Sequence, residues 1–166
     1  PMSIQPTAPA PLDERPIPVQ ARLAAAWTSV MFLYIYVDYF HLYKPGTVDG
    51  IVDGVVFEFQ ISPGLMTGFL ALIAVPSLMV MLSMTLPARV NRAVNLAVAA
   101  LYVPVTVFNA VGESWEWAAF YALSIGLELL MLAVILRASW TWPRRTAAVT
   151  SEATAARHDL DAGARR

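Results

Sequence analysis

Glu128 stands in the middle of an apolar run from Ala118 to Leu136 that is about the right length to cross a bilayer as a helix. A carboxylate at that depth costs on the order of 3 kcal/mol to insert, so it is expected to face a protein interior, a cavity or a partner. The same reasoning singles out Asp38 and His41 near the end of the first apolar run, and Asn95, Thr106 and Asn109 on the third. These residue types can bind a small polar or cationic molecule, relay protons, or tie helices together by hydrogen bonds. No catalytic or transport motif names a substrate.

Their spacing gathers them into stripes. On the third run Asn95, Tyr102, Thr106, Asn109 and Glu113 recur at helical intervals, and the first run carries Trp27, Tyr34, Asp38 and His41 in the same way. The fourth run carries Trp117, Tyr121, Ser124 and Glu128. Three stripes are least costly when they face one another, which predicts a bundle with a polar seam. With Tyr43, Gly112 and Trp117 as outer ends, helical rise places Asp38 ~7 Å deep, Thr106 ~9 Å, Ser124 ~10 Å and Glu128 ~16 Å. The two acids are then offset by about two turns and need a hydroxyl or a water between them, a role for which Tyr34 is well placed.

One functional reading is an outward-opening polar cavity, mouthed by His41, Asn109 and Glu113 and ending at Glu128. The structural alternative is that these groups hydrogen-bond to each other and fix helix register. The Asn and Thr residues suit the structural role, whereas Asp38 and Glu128 point to function, because a neutral side chain would lock helices at lower cost. His41 with Asp38 is too few donors for a tight metal site, so none is expected. Asp38 and Glu128 have the right types for an acid/base pair, but no nucleophile accompanies them and no catalytic residue is assigned. No cofactor is expected.

The elements that must position these residues are transmembrane helices. The 166 residues are 58% hydrophobic and only 14% charged, with a mean hydropathy of +0.58, too little charge for a soluble domain of this size. Apolar blocks at about 21–43, 65–86, 93–111 and 117–136 are each long enough to span. The expected fold is an all-α polytopic membrane protein, a bundle of four transmembrane helices in a 21–142 domain. Arg15, Arg22, Arg89, Arg92, Arg137, Arg144 and Arg145 all fall on one side of the implied topology, and the alternate loops hold only Lys44, so both termini are expected to be cytoplasmic. Trp27, Trp140 and Trp142 would mark the inner interface, and Tyr39, Tyr43, Trp115 and Trp117 the outer one.

Residues 1–20 are rich in Pro without an apolar core, and read as a flexible tail rather than a signal peptide; 143–166 read as a second disordered tail. Cysteine is absent, which excludes thiol-disulfide chemistry and thiolate metal sites. A net charge of -1 makes nucleic acid an unexpected partner. Expected partners are membrane lipids, with a homo-oligomer or a partner membrane subunit. Pro76 and Pro104 interrupt the second and third spans and are expected to remove a backbone hydrogen bond each. The outer loop 44–62 has Ile51, Val52, Val55, Val56, Phe57 and Phe59, too apolar to float free, and is expected to lie on the surface as a short interfacial helix or a lid. Gly68, Ala97, Ala99 and Gly126 would permit close helix contact.

Several segments resemble a family of small bacterial four-helix integral membrane proteins known only as a domain of unknown function. They are Tyr34-Ile35-Tyr36-Val37-Asp38, Pro76 with Met79-Val80-Met81-Leu82-Ser83 leading to Asn91-Arg92 and Asn95, and Tyr121 with Glu128 before Trp140. The likeness covers most of 21–142. That family often carries an acidic residue shortly before the second-helix proline, where this chain has Ala74 and Val75. The resemblance implies four helices and a multi-pass protein of the bacterial plasma membrane, and brings no activity. The sequence reading is therefore a membrane protein binding a small ligand, cation or proton through Asp38 and Glu128, with two alternatives. One is an accessory subunit of a larger complex, and the other is a membrane-embedded enzyme acting on a lipid-like substrate.

Overall fold

The computed structural model describes residues 16–109, 111 and 114–143. Tails 1–15 and 144–166, together with Gly112 and Glu113 of the anticipated cavity mouth, lie outside the described residues. Four helices are long and apolar enough to cross a membrane. They are α1 (Val19–His41), α3 (Pro63–Thr85), α4 (Ala88–Phe108) and α5 (Ala118–Trp140), the last preceded by a single 3-10 turn at Trp115–Trp117. The segment between α1 and α3 forms a short helix α2 (Thr47–Val52) and a two-stranded antiparallel hairpin, β1 (Val55–Val56) with β2 (Phe59–Gln60). Loop 44–62, expected as a short interfacial helix or a lid, thus holds a short helix and, beyond that expectation, a hairpin.

Two helices overrun the apolar blocks clearly at the end that carries arginine: α4 starts at Ala88 rather than 93, and α5 continues past 136 to Trp140. The reason is that arginine marks the edge of the hydrocarbon but is itself a good helix former, so charge limits depth and not backbone conformation. Prolines set the starts instead. Pro18 and Pro87 sit immediately before α1 and α4, and at α3 Pro63 occupies the first turn while the Ser62 hydroxyl accepts the Leu65 N–H at 3.2 Å.

Helix α1 packs along α3 and α5, and α4 packs along α5 with a lighter contact to α3. The shared core is Leu23, Trp27 and Val30 of α1, Met79 of α3, Ala99 and Tyr102 of α4, and Leu132 and Ile135 of α5. Large apolar side chains such as Phe32, Leu70, Leu101 and Leu123 point outward, while Asn91, Asn95, Thr106 and Glu128 are buried. Apolar outside and polar inside is the arrangement that hydrocarbon selects. Of the four small residues expected at helix contacts, Ala99 is buried; Gly68 and Gly126 face outward with open space where a Cβ would sit, and Ala97 is exposed. Within this chain those three therefore make no close helix contact.

Antiparallel neighbours define two ends of the bundle. The termini end carries Val19, Trp140 and the short α3–α4 connection; the loop end carries His41, α2, the hairpin and the 3-10 turn.

Candidate functional site: two polar layers in the bundle

The first layer lies toward the termini end and is built from neutral groups. The Trp27 indole donates to the Asn95 side-chain carbonyl at 2.7 Å, and the Ser83 hydroxyl donates to the same oxygen at 3.3 Å. The Asn95 amide then donates to the Asn91 side-chain and backbone oxygens at 2.6 and 2.9 Å. Asn91 in turn donates to the Ser83 carbonyl at 2.6 Å and to the Leu86 carbonyl at 3.4 Å. Those carbonyls belong to the last turn and the C-cap of α3, which have no intrahelical donors, so Asn91 caps one helix from the first turn of the next. Trp27 is fully buried and bonded, not an interfacial belt residue, because the nearest oxygen able to take its N–H is inside the bundle. Trp140 is exposed, as a belt residue should be.

The second layer lies toward the loop end and is built around a carboxyl group. Glu128 is 1% exposed and hydrogen-bonds to the Thr106 hydroxyl, which meets the Tyr34 hydroxyl at 3.2 Å. With Glu128 ionised the carboxylate only accepts, so Thr106 donates to it and accepts from Tyr34. The second carboxyl oxygen, Oε2, is buried without a hydrogen-bond partner among the described residues. One turn nearer the loop end His41 Nδ1 and the Tyr121 hydroxyl are 2.7 Å apart, the His41 ring lies 5.3 Å from the Phe57 ring, and Lys44 Nζ lies 5.8 Å from the Tyr121 ring centre. Phe57 adopts a positive φ of 54° in the hairpin turn, a conformation disfavoured for a bulky side chain, and does so with its ring on His41.

The structure thus joins Tyr34, Thr106 and Glu128 in one chain of hydrogen bonds, and His41 with Tyr121 in a second. Helical rise alone put Glu128 about two turns below Asp38. Side chains lean toward the N-terminus of their own helix, and on α5 that direction is the loop end, which carries the carboxyl up to Thr106. Tyr34, the residue expected to bridge the offset, reaches Glu128 through the Thr106 hydroxyl, a link the sequence reading did not assign. Three candidates depart from the expected seam. Asp38 is exposed, although at about 100° per residue its position lies only about 20° from Trp27 and about 40° from Tyr34 around α1. Asn109 is exposed at the C-cap of α4. Ser124 is buried but spends its hydroxyl on the Phe120 carbonyl of its own helix at 2.8 Å.

Both prolines lie inside continuous helices. Pro76 cannot donate to the Leu72 carbonyl four residues earlier, and the Tyr102 hydroxyl of α4 donates to that carbonyl instead. The gap in one helix's ladder is thereby a docking point for its neighbour. Sequence reasoning gave no role to Asn91, which lies before the span drawn from 93, or to Ser83, a single hydroxyl near the end of the second span. The spacing of Asn91 and Asn95, four residues apart and each able to donate and accept, is the signal that would have found Asn91.

Two hollows of about 490 and 470 Å³ lie at the termini end, away from the acids. One is lined by Leu96, Ala100, Leu136, Arg137, Trp140 and Thr141, the other by Arg89, Arg92, Ala93 and Leu96. Among the described residues no three His, Asp or Glu group as a metal ion would require.

No curated protein and no solved structure matches the chain. A family model does match, over residues 17–148, which spans all four long helices and both polar layers, and the chain accordingly belongs to that family of unknown function, DUF6326.

Proposed function

We propose that this multi-pass membrane protein binds a proton or a small cation at Glu128, in a polar site reached from the loop end of the bundle. The observation that carries the reading is a carboxyl group almost wholly buried with one oxygen unpartnered among the described residues, where every other buried polar side-chain atom except the Ser139 hydroxyl is bonded. A bound proton or cation supplies what that oxygen lacks, and a neutral side chain would have tied the helices at lower cost. Tyr34 and Thr106 hold the carboxyl in place, His41 and Tyr121 stand nearer the entrance, and exposed Asp38 offers a second carboxylate between water and Glu128. Asn109 stands exposed at the same end, beside the anticipated mouth. The distribution of arginine supports cytoplasmic termini and a loop end facing out, and the resemblance to bacterial membrane proteins suggests the plasma membrane.

Carbodiimide labelling tests this. Dicyclohexylcarbodiimide partitions into bilayers and modifies protonated carboxyl groups, so the full chain in vesicles should form an adduct at Glu128 that Glu128→Gln lacks. Raising the pH or adding sodium should slow it. An adduct that never forms, or that forms at a rate indifferent to pH and cations, would overturn the reading.

The exposure of Asp38 on a spanning helix favours a second reading, an accessory subunit whose carboxylate meets a partner's helix. A stoichiometric partner that copurifies with the wild type and is lost on Asp38→Asn would establish it. The lipid-enzyme reading draws no support from the hollows, which lie at the opposite end from both acids.

A further inference from the structure

We propose that the groove between α4 and α5 at the termini end is a binding site for one anionic phospholipid. The trough is made of two hollows that meet at Leu96, one lying between α4 and α5 and the other along α4 alone. Toward the hydrocarbon the trough is floored by Leu96, Ala100 and Leu136, which suit an acyl chain and offer nothing polar. Toward the interface it is bounded by Arg89, Arg92 and Arg137. The Arg92 guanidinium is 5.9 Å from the centre of the exposed Trp140 ring, which holds it at the headgroup level.

Charge complementarity names the occupant. All acidic side chains among the described residues belong to the loop-end half of the chain's topology (Asp38, Asp49, Asp53, Glu58, Glu116) or to the mid-bundle (Glu128), so none neutralises this arginine cluster. A lipid phosphate does, and guanidinium forks match phosphate oxygens. Its tail fills the apolar floor that in a bilayer must be covered by hydrocarbon. Basic pockets between transmembrane helices are a recurrent way of holding anionic headgroups. The site is at the far end of the bundle from Glu128, and the two readings stand or fall separately.

Native mass spectrometry of the full chain, released from micelles containing equal phosphatidylglycerol and phosphatidylcholine, reads the preference directly. The wild type should retain phosphatidylglycerol over phosphatidylcholine by about tenfold or more, given the contribution of each arginine near a membrane surface. The double variant R92Q/R137Q should fall to near parity, and R92K/R137K should recover part of the preference. Ala100→Trp, on an exposed position that keeps every charge, should also abolish most of it by filling the trough. Circular dichroism in phosphatidylcholine micelles checks that each variant stays helical. Equal retention of the two lipids by the wild type would overturn the proposal. So would an Ala100→Trp protein that keeps the full preference, which would mean diffuse surface charge, or competition by glycerol phosphate alone, which would mean a headgroup site with no use for the groove.

Discussion

The two polar layers differ in the chemistry of their central residue. Asn95 has both donors and an acceptor, so around it Trp27, Ser83 and Asn91 close a network in which the side-chain oxygens and nitrogens find partners. Glu128, when ionised, has acceptors alone; it meets the Thr106 hydroxyl, and Oε2 is left over. A closed amide network ties α1, α3 and α4 together and has nothing further to bind. The carboxyl layer is open by one bond, in a medium where an open bond costs a few kcal/mol. The same device, a polar group inside the bundle, has its bonds closed in one layer and one bond open among the described residues in the other.

The largest expected effect comes from breaking the closed layer. Asn95→Leu strands the Trp27 N–H, takes the acceptor from the Ser83 hydroxyl and the donor from the Asn91 side-chain oxygen, and should lower stability by about 2 to 4 kcal/mol in reversible unfolding from micelles. A loss below about 1 kcal/mol would show that the network contributes little to holding the helices. Next comes the Pro76 junction. Tyr102→Phe leaves the Leu72 carbonyl without its donor and should cost roughly 1 to 2 kcal/mol, whereas in the Pro76→Ala background, where the helix can bond that carbonyl itself, the same change should cost clearly less. Equal costs in the two backgrounds would detach Tyr102 from the proline.

The open layer should respond differently. Glu128→Gln keeps the shape and an acceptor for Thr106 while supplying a donor, so stability should change by less than about 1 kcal/mol even as carbodiimide labelling disappears. A loss as large as that of Asn95→Leu would make Glu128 another structural tie and erase the distinction between the layers. The smallest effect is expected at Ser139, whose buried hydroxyl has no partner among the described residues. Ser139→Ala should be neutral or stabilising by up to about 1 kcal/mol, and a marked loss in the same unfolding assay would reveal a bond to a residue outside those described.

Much of this was legible beforehand because hydrocarbon imposes one-dimensional rules. Four long apolar helices and a polar interior follow from block length and from the cost of stranding Glu128, Thr106 and Asn95 in lipid. Tyr34 could be read as a bridge to Glu128 because helical rise gives depth along an axis. Depth is not orientation, however. Asp38 and Asn109 fit the stripe by spacing and yet are exposed, because a stripe is about a helix's own rotation and says nothing of how wide a face its neighbours cover.

The amino-acid sequence by itself determined that this protein crosses the membrane, which helices carry polar stripes, and where arginine gathers; each depends on transfer free energies that a residue carries wherever it lies. Only the tertiary structure decided which polar groups meet. Asn91 reaching the end of α3, Tyr102 completing the ladder broken by Pro76, and Glu128 keeping one oxygen unpaired depend on how helices distant in sequence are rotated against one another. Hydrogen bonds are satisfied within about 3 Å, and composition and periodicity do not resolve positions that finely.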